Sequence, residues 1–89
     1  MCKNSRIQSE VIAAAKAMAP EVYAVFEMDG VRNLTSVIVA DAERAISFSV
    51  HRYGDMEVER KVPRYRCETL RDIARAFDVD RRTSQLVPC

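Results

Sequence analysis

The sequence has little of the residue types from which most catalytic and metal sites are built. Its 89 residues include one histidine, three cysteines, two glycines and no tryptophan. Gly30 and Gly54 stand alone and form no phosphate-binding loop. Cys2, Cys67 and Cys89 are odd in number and show no repeated spacing, which argues against a disulfide framework and against the paired ligands of a structural zinc site. We therefore expect neither a metal nor a cofactor.

Two candidates for catalysis remain, His51 and Cys67. A general base needs a hydrogen-bonded partner, and no motif in the sequence supplies one for His51. Cys67 precedes a predicted helix and follows Arg66, a setting that lowers the pKa of reactive cysteines. Helix capping or burial explains the position of Cys67 more simply. We expect no catalytic residue and a protein that is not an enzyme.

Neither sign of charge dominates the chain, and no long apolar run is present. Fourteen basic and thirteen acidic side chains give a net charge of +1, so no overall field attracts nucleic acid or a membrane. No stretch approaches the roughly 20 apolar residues of a membrane span, and the polar start does not fit a signal peptide. Together with cysteines suited to a reducing compartment, these features predict one domain, residues 1–89, in the cytosol of a bacterium or of an infected host.

Two segments have helical spacing of apolar residues. The first has a capping box at Ser5 and Gln8 and ends before Pro20. Its apolar stripe consists of Ile7, Val11, Ala14, Ala15 and Met18. The second runs from about residue 68 to 77, with a stripe of Leu70, Ile73, Ala74 and Phe77. Both segments predict amphipathic helices.

Between the helices, four segments have the alternation of strands: residues 22–28, 34–40, 46–50 and 56–62. Asp29-Gly30 starts a turn, and a loop of residues 30–33 sets Phe26 opposite Val37. A loop of residues 53–55 sets Val50 opposite Val58. Short connections favour an antiparallel meander. The sequence thus predicts an α+β fold of order αββββα, with both helices on one face of the sheet and a polar C-terminal tail at about residues 79–89.

Helices on one face only would leave apolar side chains on the other. Tyr23, Val25 and Ile38 fall on that second face in the predicted alternation. Exposed apolar patches often mark interfaces. We therefore expect these three residues to contact another protein, or a second copy of the chain in a homodimer.

A run of basic residues follows the fourth predicted strand. Within Arg60–Arg66 the candidate contact residues are Arg60, Lys61, Arg64, Tyr65 and Arg66. Four basic groups and one aromatic ring in seven residues, with no acidic residue among them, are suited to a phosphate backbone. The alternative is a solvated strand end balanced by Glu57, Glu59 and Glu68.

Residues 69–87 resemble the helix-turn-helix of bacterial and phage DNA-binding proteins. The family's apolar and small positions are filled here by Ile73, Ala74, Phe77 and Val79. The sequence departs from the family at the turn, where Asp78 replaces glycine, and at Ser84, where an apolar residue is usual. The resemblance implies that base edges are contacted by Arg81, Arg82, Thr83 and Gln85.

These observations favour a non-enzymatic protein-binding regulator or inhibitor that occupies a surface of a larger complex. In size, the chain resembles the small inhibitors that phages and mobile elements encode, including inhibitors of bacterial defence complexes. The alternative is a DNA-binding regulator that uses the helix-turn-helix-like segment and the basic run.

Overall fold

The computed structural model describes residues 5–27 and 33–89 and shows an α+β fold, as predicted. The helices are α1 (Ser5–Met18) and α2 (Leu70–Ala76), and a 3₁₀ turn spans Arg64–Arg66. The strands are β1 (Glu21–Glu27), β2 (Leu34–Ala40), β3 (Arg44–Val50), β4 (Met56–Pro63) and β5 (Ser84–Pro88). The predicted turn at Asp29-Gly30 and the cysteine Cys2 lie outside the described residues.

The strands form one antiparallel sheet in the order β4-β3-β2-β1-β5. The four-stranded meander β1–β4 is confirmed. The fifth strand was not predicted and lies within the segment expected to be a polar tail. It pairs with β1, where Leu86 lies opposite Val25 and is 7% exposed. One well-buried leucine in five residues is too short a pattern to indicate a strand from sequence.

The two helices lie on opposite faces of the sheet, so the prediction of one helical layer is wrong. On one face, Val11 and Ala15 of α1 belong to a buried cluster with Val37 of β2. On the other, Ile73 of α2 belongs to a second cluster with Ile38 of β2. β2 is buried on both faces from Val37 to Ala40, and a strand of this kind needs cover on each side.

Both predicted strand registers differ from the structure. Ala24, not Phe26, lies opposite Val37. Because this shift is two residues, every side chain of β1 stays on its expected face. In the second hairpin Val50 lies opposite Met56 rather than Val58. The connection is therefore five residues long, and Gly54 adopts the left-handed φ of 94° that favours glycine.

A β-bulge at Glu59 interrupts the pairing of β4 with β3. Val58 lies opposite Phe48, whereas Arg60 lies opposite Ser47, which leaves Glu59 as the extra residue. Beyond the bulge the alternation changes phase, so that Val62 joins the cluster under α2 instead of the one under α1. Extending the predicted register of Val50 with Val58 would set Val62 opposite Ile46, whereas Val62 lies opposite Ala45.

Helix α1 covers only part of its sheet face. It packs against β1 and β2, where Val37 is 0% exposed. Further from the helix, Phe48 of β3 is half-buried and Val58 of β4 is 51% exposed. The sheet edge formed by β4 is thus the least covered part of this face.

The burial of the second sheet face by α2 can be tested by unfolding in urea. Ile38→Ala removes a side chain that is 1% exposed and is expected to cost about 2–5 kcal/mol of unfolding free energy. Met18→Ala, at a position that is 51% exposed, is the control and is expected to cost less than about 1 kcal/mol. Equal, small losses for both variants would contradict the placement of α2.

Candidate partner-binding groove

The predicted outer apolar patch is not a surface of this chain. Val25 is 4% exposed and Ile38 is 1% exposed, and Tyr23 is partly buried beside them. Residues of α2 and β5, including Ile73 and Leu86, pack against the same cluster. The patch was expected to be open because both helices were placed on the other face.

The basic run divides into residues with different environments. Arg64 turns towards β1, where its Nη2 donates to Glu21 Oε1 at 2.9 Å, and the Tyr23 hydroxyl donates to the same oxygen at 2.9 Å. The Tyr23 hydroxyl, followed by Arg64, lowers the pKa of Glu21. Burial, followed by the Glu21 carboxylate, raises the pKa of Tyr23. This cluster fastens the 3₁₀ turn to the sheet, so Arg64 has a structural role.

Arg60 is also engaged within the chain. Its Nη1 donates to the carbonyl of Ala76 at 2.7 Å, and its Nη2 lies 3.0 Å from Asp78 Oδ2. These contacts join β4 to the end of α2. Arg60 therefore sets the distance between the strand and the helix.

Between the second half of β4, the 3₁₀ turn and α2 lies a groove of about 640 Å³. Within residues 5–27 and 33–89, three of its cations have no ion pair: Lys61, Arg66 and Arg75. Tyr65 stands beside them with 77% of its surface exposed. We call this set, Lys61, Tyr65, Arg66 and Arg75, the basic groove. Lys61 lies at its rim, because its place opposite Ile46 puts its side chain on the α1 side of the sheet.

Among the described residues, the one carboxylate that lines the basic groove already accepts a hydrogen bond within the chain. Asp72 Oδ2 accepts a hydrogen bond from the Thr69 amide at 3.2 Å, and Thr69 Oγ1 accepts one from the Asp72 amide at 3.1 Å. This capping box fixes the start of α2. The groove is left with an excess of unpaired positive charge.

Arg75 was missed by the sequence prediction, which considered only the contiguous run. It lies nine residues after Arg66 in the chain, and α2 returns it to the same groove. Its exposed position on a short helix carries no distinguishing pattern. Only the tertiary fold brings it to Arg66.

The resemblance to a helix-turn-helix fails after the first helix. Asp78 adopts a φ of 53°, which suits the turn of that motif. The following residues form a turn and then β5 instead of a second helix. Arg81, Arg82 and Thr83 lie in the turn, and Gln85 lies opposite Phe26 in the sheet. A short strand forms here because β1 offers an open edge for residues 84–88.

The two residues considered as candidates for catalysis, His51 and Cys67, have different surroundings. His51 Nε2 lies 3.1 Å from Glu57 Oε2 in an exposed pair. Cys67 is 0% exposed, and burial raises the pKa of its thiol.

Among the residues that the structure describes, no three His, Cys, Asp or Glu side chains are grouped to hold a metal ion. In the same part of the chain, neither helix has the length and apolar character to cross a bilayer.

Comparison of the chain with protein-family models, with curated proteins and with solved structures finds no match.

The division of the basic run predicts different effects of matched substitutions on stability. Arg64→Met removes a half-buried guanidinium from Glu21 and is expected to lower the free energy of unfolding by about 1–2 kcal/mol. Arg66→Met changes an exposed side chain and is expected to cost less than about 0.5 kcal/mol. Urea unfolding of both variants tests this, and a larger loss for Arg66→Met would refute the assignment.

The Glu21 cluster also predicts a dependence of stability on pH. The pKa of Glu21 is lowered from its ordinary value of 4.5, so its contribution is complete above that pH and is lost as the pH falls through the folded-state pKa. The difference in unfolding free energy between wild type and Glu21→Gln should be constant from about pH 6 to about pH 8 and shrink below about pH 4.5. A difference that stays unchanged at low pH would rule out this role.

Proposed function

We propose that the chain is a non-enzymatic binding module whose basic groove takes an acidic segment of a partner protein. The observation that carries this proposal is the convergence of Arg66 and Arg75 with no acidic partner among the described residues, with Lys61 at the rim of the groove. An exposed tyrosine next to them supplies apolar contact area and a hydroxyl. Such a combination of arginine and tyrosine is typical of contact residues at protein interfaces.

The extent of the charge favours a short acidic segment over a nucleic acid. A protein that follows a DNA backbone typically makes roughly 6–10 phosphate contacts. The basic groove offers two unpaired arginines and Lys61 at its rim, and acidic side chains adjoin it, among them Glu59 and Asp78. A continuous phosphate backbone would meet those carboxylates, whereas a short acidic segment ends before them.

Binding of this kind acts by covering a surface of the partner. A module of 89 residues that covers an acidic surface of a larger complex blocks whatever else binds there. A small regulator or inhibitor needs no further chemistry than this.

A cytoplasmic setting is part of the proposal. Cys67 and Cys89 both carry free thiols, and free thiols are typical of proteins in reducing compartments. We therefore expect the partner protein to be cytoplasmic as well.

The groove can be tested with a fluorescein-labelled peptide of alternating glutamate and serine. Wild type is expected to bind it, and binding should weaken between about 50 mM and about 200 mM salt because the contacts are ionic. The double variant Arg66→Glu, Arg75→Glu is expected to bind at least about tenfold more weakly by fluorescence anisotropy.

The matched control is Arg52→Glu, an exposed arginine in the β3–β4 connection, combined with Lys16→Glu, an exposed residue of α1 on the other face of the sheet, to equalise the charge change. This control should bind the peptide as wild type does. A peptide with glutamine in place of glutamate should not bind. If duplex DNA displaces the acidic peptide at lower concentration than unlabelled peptide does, the ligand is a nucleic acid and the proposal fails.

A further inference from the structure

The outer edge of β4 is open along eight residues. β4 is the end strand of the sheet, and within residues 5–27 and 33–89 no strand pairs with the backbone groups on its outer side. Such an edge is a template for another strand. The hydrogen bonds at the two ends of β4 indicate which residues carry the outward backbone groups.

Both ends of β4 have a fixed backbone direction. The Arg64 amide donates to the Glu43 carbonyl at 3.0 Å, and the Asp55 carbonyl accepts from the His51 amide at 2.8 Å. Both groups therefore point towards β3. Backbone direction alternates along a strand, so counting back from Arg64 and forward from Asp55 gives the residues that point inwards: Glu57, Glu59, Arg60 and Val62. The two consecutive members, Glu59 and Arg60, are the bulge.

The remaining residues point outwards: Met56, Val58, Lys61 and Pro63. Side-chain direction follows the same alternation. Glu59 and Arg60 both line a cavity beside Phe77 and Val79, on the α2 side of the sheet. Val58 lies opposite Phe48, on the α1 side.

We propose that a second copy of the chain pairs antiparallel with this edge, about a two-fold axis between Glu59 and Arg60. In that register Val58 lies opposite the second copy's Lys61, and Met56 lies opposite the second copy's Pro63. All four residues point outwards, so their backbone groups meet, and Pro63, which has no N–H, contributes only its carbonyl. On the α2 side, Glu59 lies opposite the second copy's Arg60. Every opposed pair has its side chains on one face, as antiparallel pairing requires.

The charges of β4 select its own copy over other strands. Charged side chains, a proline and a bulge on an edge normally prevent pairing with unrelated strands. In β4 the acids Glu57 and Glu59 precede the bases Arg60 and Lys61. A two-fold axis reverses the order in the second copy, so that acid meets base twice. Opposite charges across strands are favourable, whereas like charges are not.

Apolar contact adds to the backbone pairing. Val58 is 51% exposed on the α1 side of the sheet, where α1 packs chiefly against β1 and β2. In the dimer, Val58 lies against the stem of the second copy's Lys61, beside the half-buried Phe48. Two-fold dimers are the commonest assembly of soluble proteins, and this one joins two sheets into a continuous sheet.

The dimer involves one residue of the basic groove, Lys61 at its rim, whose stem lies against the second copy's Val58. Tyr65 and Arg66 follow Pro63 in the 3₁₀ turn, and Arg75 lies on α2. Arg66 and Arg75 therefore remain available to an acidic segment in the dimer.

Sedimentation equilibrium of the full chain tests the dimer. Wild type is expected to dimerise below about 200 μM. Glu59→Arg places like charges opposite each other twice and should raise the dissociation constant at least about tenfold. Glu43→Arg, an exposed residue away from this edge, is the control and should dimerise as wild type does.

A second variant tests the backbone contacts without changing charge. Val58→Pro removes an outward amide that β3 does not use, and it is expected to leave the circular dichroism spectrum unchanged while abolishing dimerisation. A wild-type chain that is monomeric at about 200 μM overturns the proposal. The proposal is also overturned if a folded Val58→Pro variant, or the Glu59→Arg variant, dimerises as wild type does.

Discussion

The double burial of β2 is the constraint on which the rest of the molecule depends. Val37 and Val39 belong to the cluster under α1, and Ile38 and Ala40 belong to the cluster under α2. Each face must be removed from water by a separate element. The consequence is largest for α2, whose seven residues are too few to form a stable helix alone. Its position depends on the burial of Ile73, on its capping box and on the bond from Arg60 to its last carbonyl. The basic groove follows from this placement, since α2 forms one of its walls.

The bulge at Glu59 allows one edge strand to serve both faces. Strict alternation from Met56 would direct Val62 to the α1 side and Lys61 to the α2 side. The extra residue reverses this, so that Val62 closes the cluster around Cys67 while Val58 stays with Phe48. It also turns Arg60 to the α2 side, where the guanidinium reaches Asp78. Bulges often redirect side chains near functional surfaces, and here the redirected side chain positions the helix that carries Arg75.

Local patterns were enough to predict the helices, the four-stranded meander and the basic run. They were not enough for features that depend on the packing of distant segments. A register shift of two residues leaves each side chain on its face, so hydrophobic alternation does not distinguish Ala24 from Phe26 as the neighbour of Val37. The apolar character of both faces of β2 is visible in the sequence, but the sequence does not say which helix covers which face. Asp78 does adopt the left-handed turn, yet the residues after it join β1, because an open strand edge outweighs weak helical propensity.

A chain with a net charge of +1 recognises its surroundings through the arrangement of charge and not through its total. Its fourteen bases and thirteen acids are locally separated: unpaired cations collect at the basic groove, and acids lead the bases along β4. Interactions between exposed charges are screened beyond about 8 Å at physiological ionic strength, so neither arrangement attracts a partner from a distance. Each acts only at contact, where opposed charges fix the register and disfavour a wrong partner. Such a surface gives specificity without long-range attraction, which suits a small module that must bind one surface among many.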